Sequence, residues 1–282
     1  MKRIGVVILN YKNYKETVKC VKSVLNQNNV YLKIAIVDNG SNNESYDKLL
    51  EEFQDNEEVS IIKSDDNLGY AKGNNIGICF LRKLGYEYIL VCNSDVIFST
   101  HNILFDMLKY NSPIVGTIIP VIKNLDGTIE MRAQYKAKLF IIRILRELKR
   151  MQNLSKKSLK PQKIKHYEME NLSPGIQDKY YVITGSVFML TPSFFKYYKG
   201  LFSETFLYVE ELATLLLVYK AGLKCAIAKT DDVIHKGAAS TEEHLKAGTE
   251  KKKQMIANSA RKVEKLIYFP RVVFKRKCGM VK

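Results

Sequence analysis

Four acidic or amide residues stand where they could do chemistry: Asn10, Asp38, Asn93 and Asp95 lie at or just past the ends of short apolar runs. Residues 5–9 lead into Asn10-Tyr11, residues 34–37 into Asp38-Asn39-Gly40-Ser41, and YEYILVC at 86–92 into Asn93-Ser94-Asp95. An open α/β sheet places its ligand crevice outside the carboxyl ends of its strands. Polar groups at three such ends therefore describe a nucleotide pocket with a candidate metal site. A fourth stretch, NLGYAKGNN at 67–75, separates an apolar run from a helical pattern. Glycine and asparagine there either let backbone N–H groups approach an anion at a helix N-terminus or form a plain loop.

The elements that must position these groups alternate through the first third of the chain. Strands are expected at 5–9, 32–37, 59–63 and 86–92, with helices at 14–27, 44–53 and 70–84 between them. That alternation indicates parallel βαβ units, and the wholly apolar VVIL and IAIV suit strands covered on both faces. Beyond Asp95 the order changes. A helix at 102–110, a strand at 114–119, a turn at Asp126-Gly127 and a basic stretch at 136–165 are followed by a strand at 181–190 with Gly185 at its centre. A helix at 209–221, closed by Gly222, precedes strands at 224–228 and 233–236, and the chain from about 241 reads as helical and basic. The expected fold is α/β, with a Rossmann-like, mostly parallel central sheet flanked by helices.

With 282 residues the chain can bury a substantial core. Its five cysteines (Cys20, Cys79, Cys92, Cys225, Cys278) are scattered, which suits free thiols in a reducing compartment and offers no zinc spacing. The opening MKRIGVVILNY has too short an apolar run for a signal peptide and reads as the first strand. Formal charge is +16, of which residues 132–165 hold +11 and residues 246–282 hold +10, leaving the rest of the chain net acidic. Such segregation points to a surface contact, and no specific nucleic-acid partner is expected. Residues 138–151 (KLFIIRILRELKRM) and 265–277 put aliphatic and aromatic side chains beside cations. Each segment suits either an anionic membrane surface or packing on the domain.

Taken together, NY at 10–11, DNGS at 38–41, N-x-G-x-x-x-x-N at 67–74, NSD at 93–95, TGSVFML at 184–190, FLYVEE at 206–211 and His235 resemble the inverting glycosyltransferases of family 2. The rhamnosyltransferase-like members that build bacterial surface polysaccharides are the most similar. The resemblance covers residues 3–240 and implies the GT-A fold over 1–240. A nucleotide-binding half at 1–100 would precede an acceptor-binding half at 101–240 that carries the basic insertion 136–165, with a basic helical tail at 241–282. It implies that Asp38 contacts the base or ribose of a nucleoside-diphosphate sugar, that Asn10 and Tyr11 frame the base, and that Gly69 and Asn74 approach the donor. Asn93 and Asp95 match a DxD-type site, with Asp95 a ligand of Mg2+ or Mn2+ and His235 either a further contact to the metal or diphosphate or a strand-end histidine satisfied by hydrogen bonds.

Glu210 and Glu211 match a Glu-Asp pair that includes the catalytic base. Alignment favours Glu211, with Glu210 its rival. The family's E-D-x-D reads Glu210-Glu211-Leu212-Ala213 here, so one acid is a methylene longer and another is missing. The implied reaction moves a sugar onto a hydroxyl of a glycan or lipid-linked acceptor in bacterial cell-surface polysaccharide synthesis. The protein would act in the cytoplasm, peripheral on the inner face of the membrane. The alternative is a catalytically silent nucleotide- or partner-binding subunit. A nucleotidyltransferase would need a lysine-bearing glycine loop after the first strand, and Asn10-Tyr11-Lys12 offers none.

Overall fold

Strands too apolar for one-sided burial need helices on both faces, and the chain builds that arrangement around a parallel core. The computed structural model describes residues 1–130, 134–136, 140–154, 175–176, 179–181, 184–237 and 250–279. β1 (Lys2–Asn10), α1 (Tyr14–Leu25), β2 (Val30–Asn39), α2 (Ser45–Phe53), β3 (Val59–Ser64), α3 (Tyr70–Lys83) and β4 (Tyr88–Asn93) follow as βαβ units. β1 pairs in parallel with β2 and β4, and β2 with β3. After β4 come β5 (Val96–Phe98), α4 (Ile103–Leu108), β6 (Val115–Asn124), β7 (Gln134–Lys136), α5 (Phe140–Gln152), β8 (Gly175–Ile176), β9 (Lys179–Tyr181) and β10 (Val187–Leu190). α6 (Pro192–Phe195), α7 (Glu210–Lys220), β11 (Lys224–His235), α8 (Glu250–Tyr268) and α9 (Arg271–Lys275) follow. The main sheet runs β3-β2-β1-β4-β10-β6-β11-β5, with β8 beside β11; β7 and β9 form a separate pair.

Strand alternation divides the core into two layers. Val7, Val37, Ile89 and Val91 face α3, α6 and α7, whereas Ile4, Ile8, Ile34, Ile36 and Leu90 face α1, α2 and α4. β10 joins the two parts of the sheet, running antiparallel to both β4 and β6. On its far side β6 and β11 are parallel, and β5 returns antiparallel along β11.

Two expectations need correction, and one pair of alternatives is decided. The strand expected at 181–190 is not continuous, since 184–186 lie outside any strand and β10 begins at Val187. The reason is tertiary: the Gly185 carbonyl accepts the Tyr70 hydroxyl at 2.5 Å instead of a neighbouring strand. The strands expected at 224–228 and 233–236 are one strand, β11, whose register against β6 shifts between Ala228 and Val233. The amphipathic helix expected at 138–151 does not leave its apolar face free. Phe140, Ile144 and Leu148 of α5 share a buried cluster with Ala260, Val263 and Leu266 of α8 and with α7. Residues 137–139, 155–165, 241–249 and 280–282 of the basic segments 136–165 and 241–282 lie outside the described residues.

The C-terminal segment is stitched to the chain that leads into α7. Ser203 N donates to the Lys277 carbonyl at 3.1 Å and Gly279 N to the Leu201 carbonyl at 3.0 Å. Asn75 of α3 secures the same place, its amide donating to the Leu201 carbonyl at 3.0 Å while its oxygen accepts Leu201 N at 2.8 Å, both buried. No helix among the described residues is long and apolar enough to cross a membrane, and all five cysteines are free. Removing both Asn75 bonds leaves a buried N–H and C=O without their side-chain partner. The Leu201 carbonyl keeps the Gly279 N–H, so Asn75→Ala should lower unfolding free energy by about 1–3 kcal/mol, read as a lower urea midpoint at unchanged slope.

Candidate active site

Parallel register sets the first wall. Asn10 lies opposite Asp38, and Leu9 opposite Asn93, so the ends of β1, β2 and β4 form one edge. Asp38 is fully buried. One carboxylate oxygen accepts Asn10 Nδ2 at 2.7 Å and the other accepts Ser41 N at 3.0 Å. Ser41 Oγ in turn accepts Lys12 N at 2.8 Å, and Asn10 Oδ1 accepts the Thr17 hydroxyl at 2.8 Å. Asp38 thus ties the loops after β1 and β2 into one frame, with Tyr11 half-buried at its rim.

Asn39, part of the DNGS stretch but given no role there, organises the next loop. Its amide donates to Asn67 Oδ1 at 3.0 Å and to the Gly69 carbonyl at 3.3 Å, while its oxygen accepts Leu68 N at 3.0 Å. Gly69 has φ +80°, and a Cβ there would lie 2.1 Å from the Phe206 carbonyl oxygen. The residue must be glycine on both counts. Tyr70 N donates to that same carbonyl at 2.8 Å, joining the loop to the segment before α7. Asn74 sits one turn along α3, buried, with Nδ2 on the Tyr70 carbonyl at 2.9 Å. Its Oδ1 has no hydrogen-bond partner among the described residues.

The Asp95 end holds a second cluster. Asn93 N donates to the Ser186 carbonyl at 2.8 Å, which ties β4 to the Thr184-Gly185-Ser186 turn. His235 reaches the site from the last residue of β11, opposite Val96. Its Nε2 is 3.3 Å from Asp95 Oδ1, and its Nδ1 is 2.9 Å from Glu130 Oε2. Burial pulls the imidazole pKa down, but the hydrogen bonds to Asp95 and Glu130 outweigh it and raise it to about 10. Sequence reading brought Asp95 and His235 together but missed Glu130, which lies in no recognisable motif beyond the turn at Gly127.

No group of three or more carboxylate, imidazole or thiol donors among the described residues could hold a metal ion by itself. One buried carboxylate beside one imidazole does fit a cation that takes most of its oxygens from a diphosphate and water, as Mg2+ commonly does. The donor set therefore fits a shared metal and not a protein-only cage.

α7 brings the acids across from this edge. Tyr208 and Val209 both have positive φ, at 70° and 72°, an unusual pair for bulky residues. Contacts around the segment hold it: Ser259 Oγ donates to the Leu207 carbonyl at 2.9 Å, and Lys262 Nζ to the Glu204 carbonyl at 2.8 Å. The turn aims the two glutamates differently. Glu211 lies against Gly185, its Oε1 3.3 Å from where a Cβ would stand on that glycine. Glu210 is buried, with Oε1 lacking a hydrogen-bond partner among the described residues. Ala213, where the family pattern has a further acid, is 1 % exposed and belongs to the core.

Burial first, and the neighbouring Glu211 carboxylate second, raise the Glu210 pKa from 4.5 to about 8. The folded chain therefore keeps a proton that the unfolded chain gives up. The associated stability is complete below pH 4.5 and is lost as pH rises towards 8. Glu210→Gln should flatten this slope and exceed the unchanged protein at pH 8 by about 2–4 kcal/mol, given roughly 1.4 kcal/mol per pKa unit. Urea unfolding at pH 5 and pH 8 reads the difference.

Comparison with known proteins agrees with this geometry. Residues 5–161 match the family model described as glycosyl transferase family 2. The low-salt glycan biosynthesis hexosyltransferase Agl10 of Haloferax volcanii is 28% identical over 125 residues, 44% of this chain and 38% of that protein. Among solved structures, TarS of S. aureus superposes with a TM-score of 0.56 at 12% identity, covering 84% of this chain and 37% of that one. The mannosyltransferase PcManGT of Pyrobaculum calidifontis, in complex with GDP-Man and Mn2+, gives 0.55 at 10% identity and covers 94% of this chain and 72% of that one. The chain thus spans well under half of Agl10 and of TarS, and the two structures share its GT-A fold.

Proposed function

The chain belongs to glycosyl transferase family 2, and from that premise we propose that it transfers a sugar from a nucleoside-diphosphate donor to an acceptor hydroxyl, with inversion. The observation that carries this is the meeting, at one sheet edge, of the Asp38 frame, the Asp95–His235 pair and a glutamate set against the Gly185 turn. The loops framed by Asp38 and Asn39 bind the nucleoside, with Asn10 and Tyr11 beside the base and Gly69 and Asn74 along the donor. Asp95 and His235 hold a divalent cation with the diphosphate. When bound, that cation supplies a Lewis acid for charge developing on the leaving group.

Glu211 is the base. An acceptor hydroxyl is a poor nucleophile and needs a carboxylate within hydrogen-bond reach to take its proton. Glu210 is buried and neutral near pH 7, so it cannot accept that proton, and its neutrality spares Glu211 a like charge next door. Tyr70, whose buried phenol is held well above its usual pKa, stays protonated and fixes the Gly185 carbonyl. One in-line displacement through an oxocarbenium-like state inverts the anomeric carbon without a covalent intermediate. Of the hexose and deoxyhexose donors that the motif pattern allows, the likenesses to Agl10 and PcManGT favour a hexose, and a glycan or lipid-linked acceptor of a surface polysaccharide fits the motif pattern.

Thermal shift with UDP, GDP, dTDP and CMP, each with and without Mn2+, tests the pocket. One nucleoside diphosphate should raise the melting temperature in a Mn2+-dependent manner, by an amount equivalent to about 2.7 kcal/mol at 100 times its Kd. Asp95→Ala should abolish the shift. No shift with any nucleotide would overturn the reading. Glu211→Gln should retain binding and lose about 10²–10⁴-fold in kcat, whereas turnover unaffected by this change would remove Glu211 as base. Turnover by the unchanged protein excludes the silent-subunit alternative.

We also propose attachment to an anionic membrane surface, supported by the C-terminal tip. Tyr268 is 63% exposed, Val272 71% and Phe269 48%, and Lys275 and Arg276 lie exposed beside them. Apolar side chains at a headgroup boundary with adjacent cations suit an acidic bilayer, at roughly 1 kcal/mol for each cation near the surface. Flotation with phosphatidylglycerol vesicles should bind the protein, and phosphatidylcholine vesicles should not. Phe269→Ser with Val272→Ser, or Lys275→Glu with Arg276→Glu, should each reduce binding at least fivefold. Undiminished flotation of both variants would remove the proposal.

A further inference from the structure

We propose that Glu130 is a positioning residue for the cation and diphosphate site, acting through His235. The inference builds on the shared-metal reading above and assigns a role to a residue that neither the motifs nor the family pattern singled out.

Glu130 reaches the site by a route that sequence does not reveal. β6 ends at Asn124, a turn follows in which Gly127 has φ +79° and its N–H donates to the Asn124 carbonyl at 2.9 Å, and the chain doubles back. Glu130 N then donates to the Ile122 carbonyl at 2.8 Å, fixing its backbone to β6. β11 is the parallel neighbour of β6, with His235 opposite Asn124. A return from β6 therefore lands beside the final residue of β11. The Glu130 side chain is largely buried there, and its Oε2 accepts from two places at once: His235 Nδ1 at 2.9 Å and Ser186 Oγ at 2.9 Å. Ser186 also lies 3.2 Å from the Thr184 hydroxyl, and its carbonyl accepts Asn93 N.

The direction of these bonds is what matters. The two nitrogens of an imidazole point away from each other, so Glu130 and Asp95 occupy opposite ends of the His235 ring. Glu130 is therefore not a third ligand on the Asp95 side. With a cation in place of the Nε2 proton, the Nδ1–H held by Glu130 leaves the Nε2 lone pair on the Asp95 side, and the same bond fixes the ring plane. A histidine that ligates a metal commonly gives its other N–H to such a carboxylate, and loss of the carboxylate weakens metal binding by roughly 10–100-fold. The same oxygen also anchors Ser186, so one carboxylate sets His235 and the Thr184–Ser186 turn relative to each other.

The test measures Mn2+ binding directly, by electron paramagnetic resonance of free Mn2+, for the full chain with UDP, GDP or dTDP present in turn. Glu130→Ala should weaken Mn2+ binding 10–100-fold with the nucleotide that supports it. Nucleotide affinity without metal should stay within about twofold, while the urea midpoint should fall because Ser186 and His235 lose their shared acceptor. Glu130→Gln keeps an oxygen that can accept the Nδ1 proton and should recover Mn2+ affinity to within a few-fold of the unchanged protein. Glu130→Ala combined with His235→Ala should bind no more weakly than His235→Ala alone, because Glu130 acts through the ring. Mn2+ affinity within twofold in Glu130→Ala, additive losses in the double variant, or an equal loss of metal-free nucleotide binding would each overturn the role. Failure of the unchanged protein to bind Mn2+ with any of these nucleotides would instead overturn the shared-metal reading itself and this inference with it.

Discussion

The narrowest constraint in the molecule is the contact between Gly69 and the Phe206 carbonyl. The donor-side loop and the segment leading to α7 meet with no room for even one carbon on Gly69, and Tyr70 N bonds the same oxygen. Two parts of the chain 137 residues apart in sequence are thereby fixed at backbone contact distance. Asn39 fixes the loop from one side, and the α8 contacts at Ser259 and Lys262 fix the segment from the other. The positive-φ pair at Tyr208 and Val209, and hence the direction in which Glu210 and Glu211 leave the helix start, is held between them.

What could be read in the sequence was local. The strand-end groups Asn10, Asp38 and the Asn93–Asp95 pair announced themselves because they follow three separate apolar runs, and parallel alternation then had to bring the ends to one edge. Glycine at 69 was legible only within the 67–74 pattern, because glycine- and asparagine-rich turns are common and a plain loop fitted the stretch as well. Glu130 and Asn39 were not legible. Each does its work across the sheet, through partners over 25 residues away, and no local pattern reports such a bond. The break in the strand expected at 181–190 was hidden for the same cause, because it depends on Tyr70 claiming the Gly185 carbonyl.

The two basic segments present a related lesson in electrostatics. Apart in sequence, each reads as an independent amphipathic surface. In the fold α5 and α8 bury their apolar faces together, so two strongly cationic stretches lie side by side. Few acids lie within these segments, and Glu264 sits at their junction, accepting Lys149 and Gln152. The Lys149 contact is exposed and adds little stability, so hydrophobic burial holds the helices together against the like charge.

β10 carries a consequence for how the chain is made. β4 is complete at residue 93, but the strand that closes its open edge begins at Val187, and the β1–β4 sheet is otherwise built from local units. At ribosomal elongation of about 5–20 residues per second, that edge waits roughly 5–20 s for its native partner. During that interval a wholly apolar strand, Tyr88–Cys92, presents unpaired backbone groups to whatever other chain is near. The four-residue strand that joins the two parts of the sheet is thus also the one that closes the β4 edge, and its late arrival sets how long that edge stays open during synthesis.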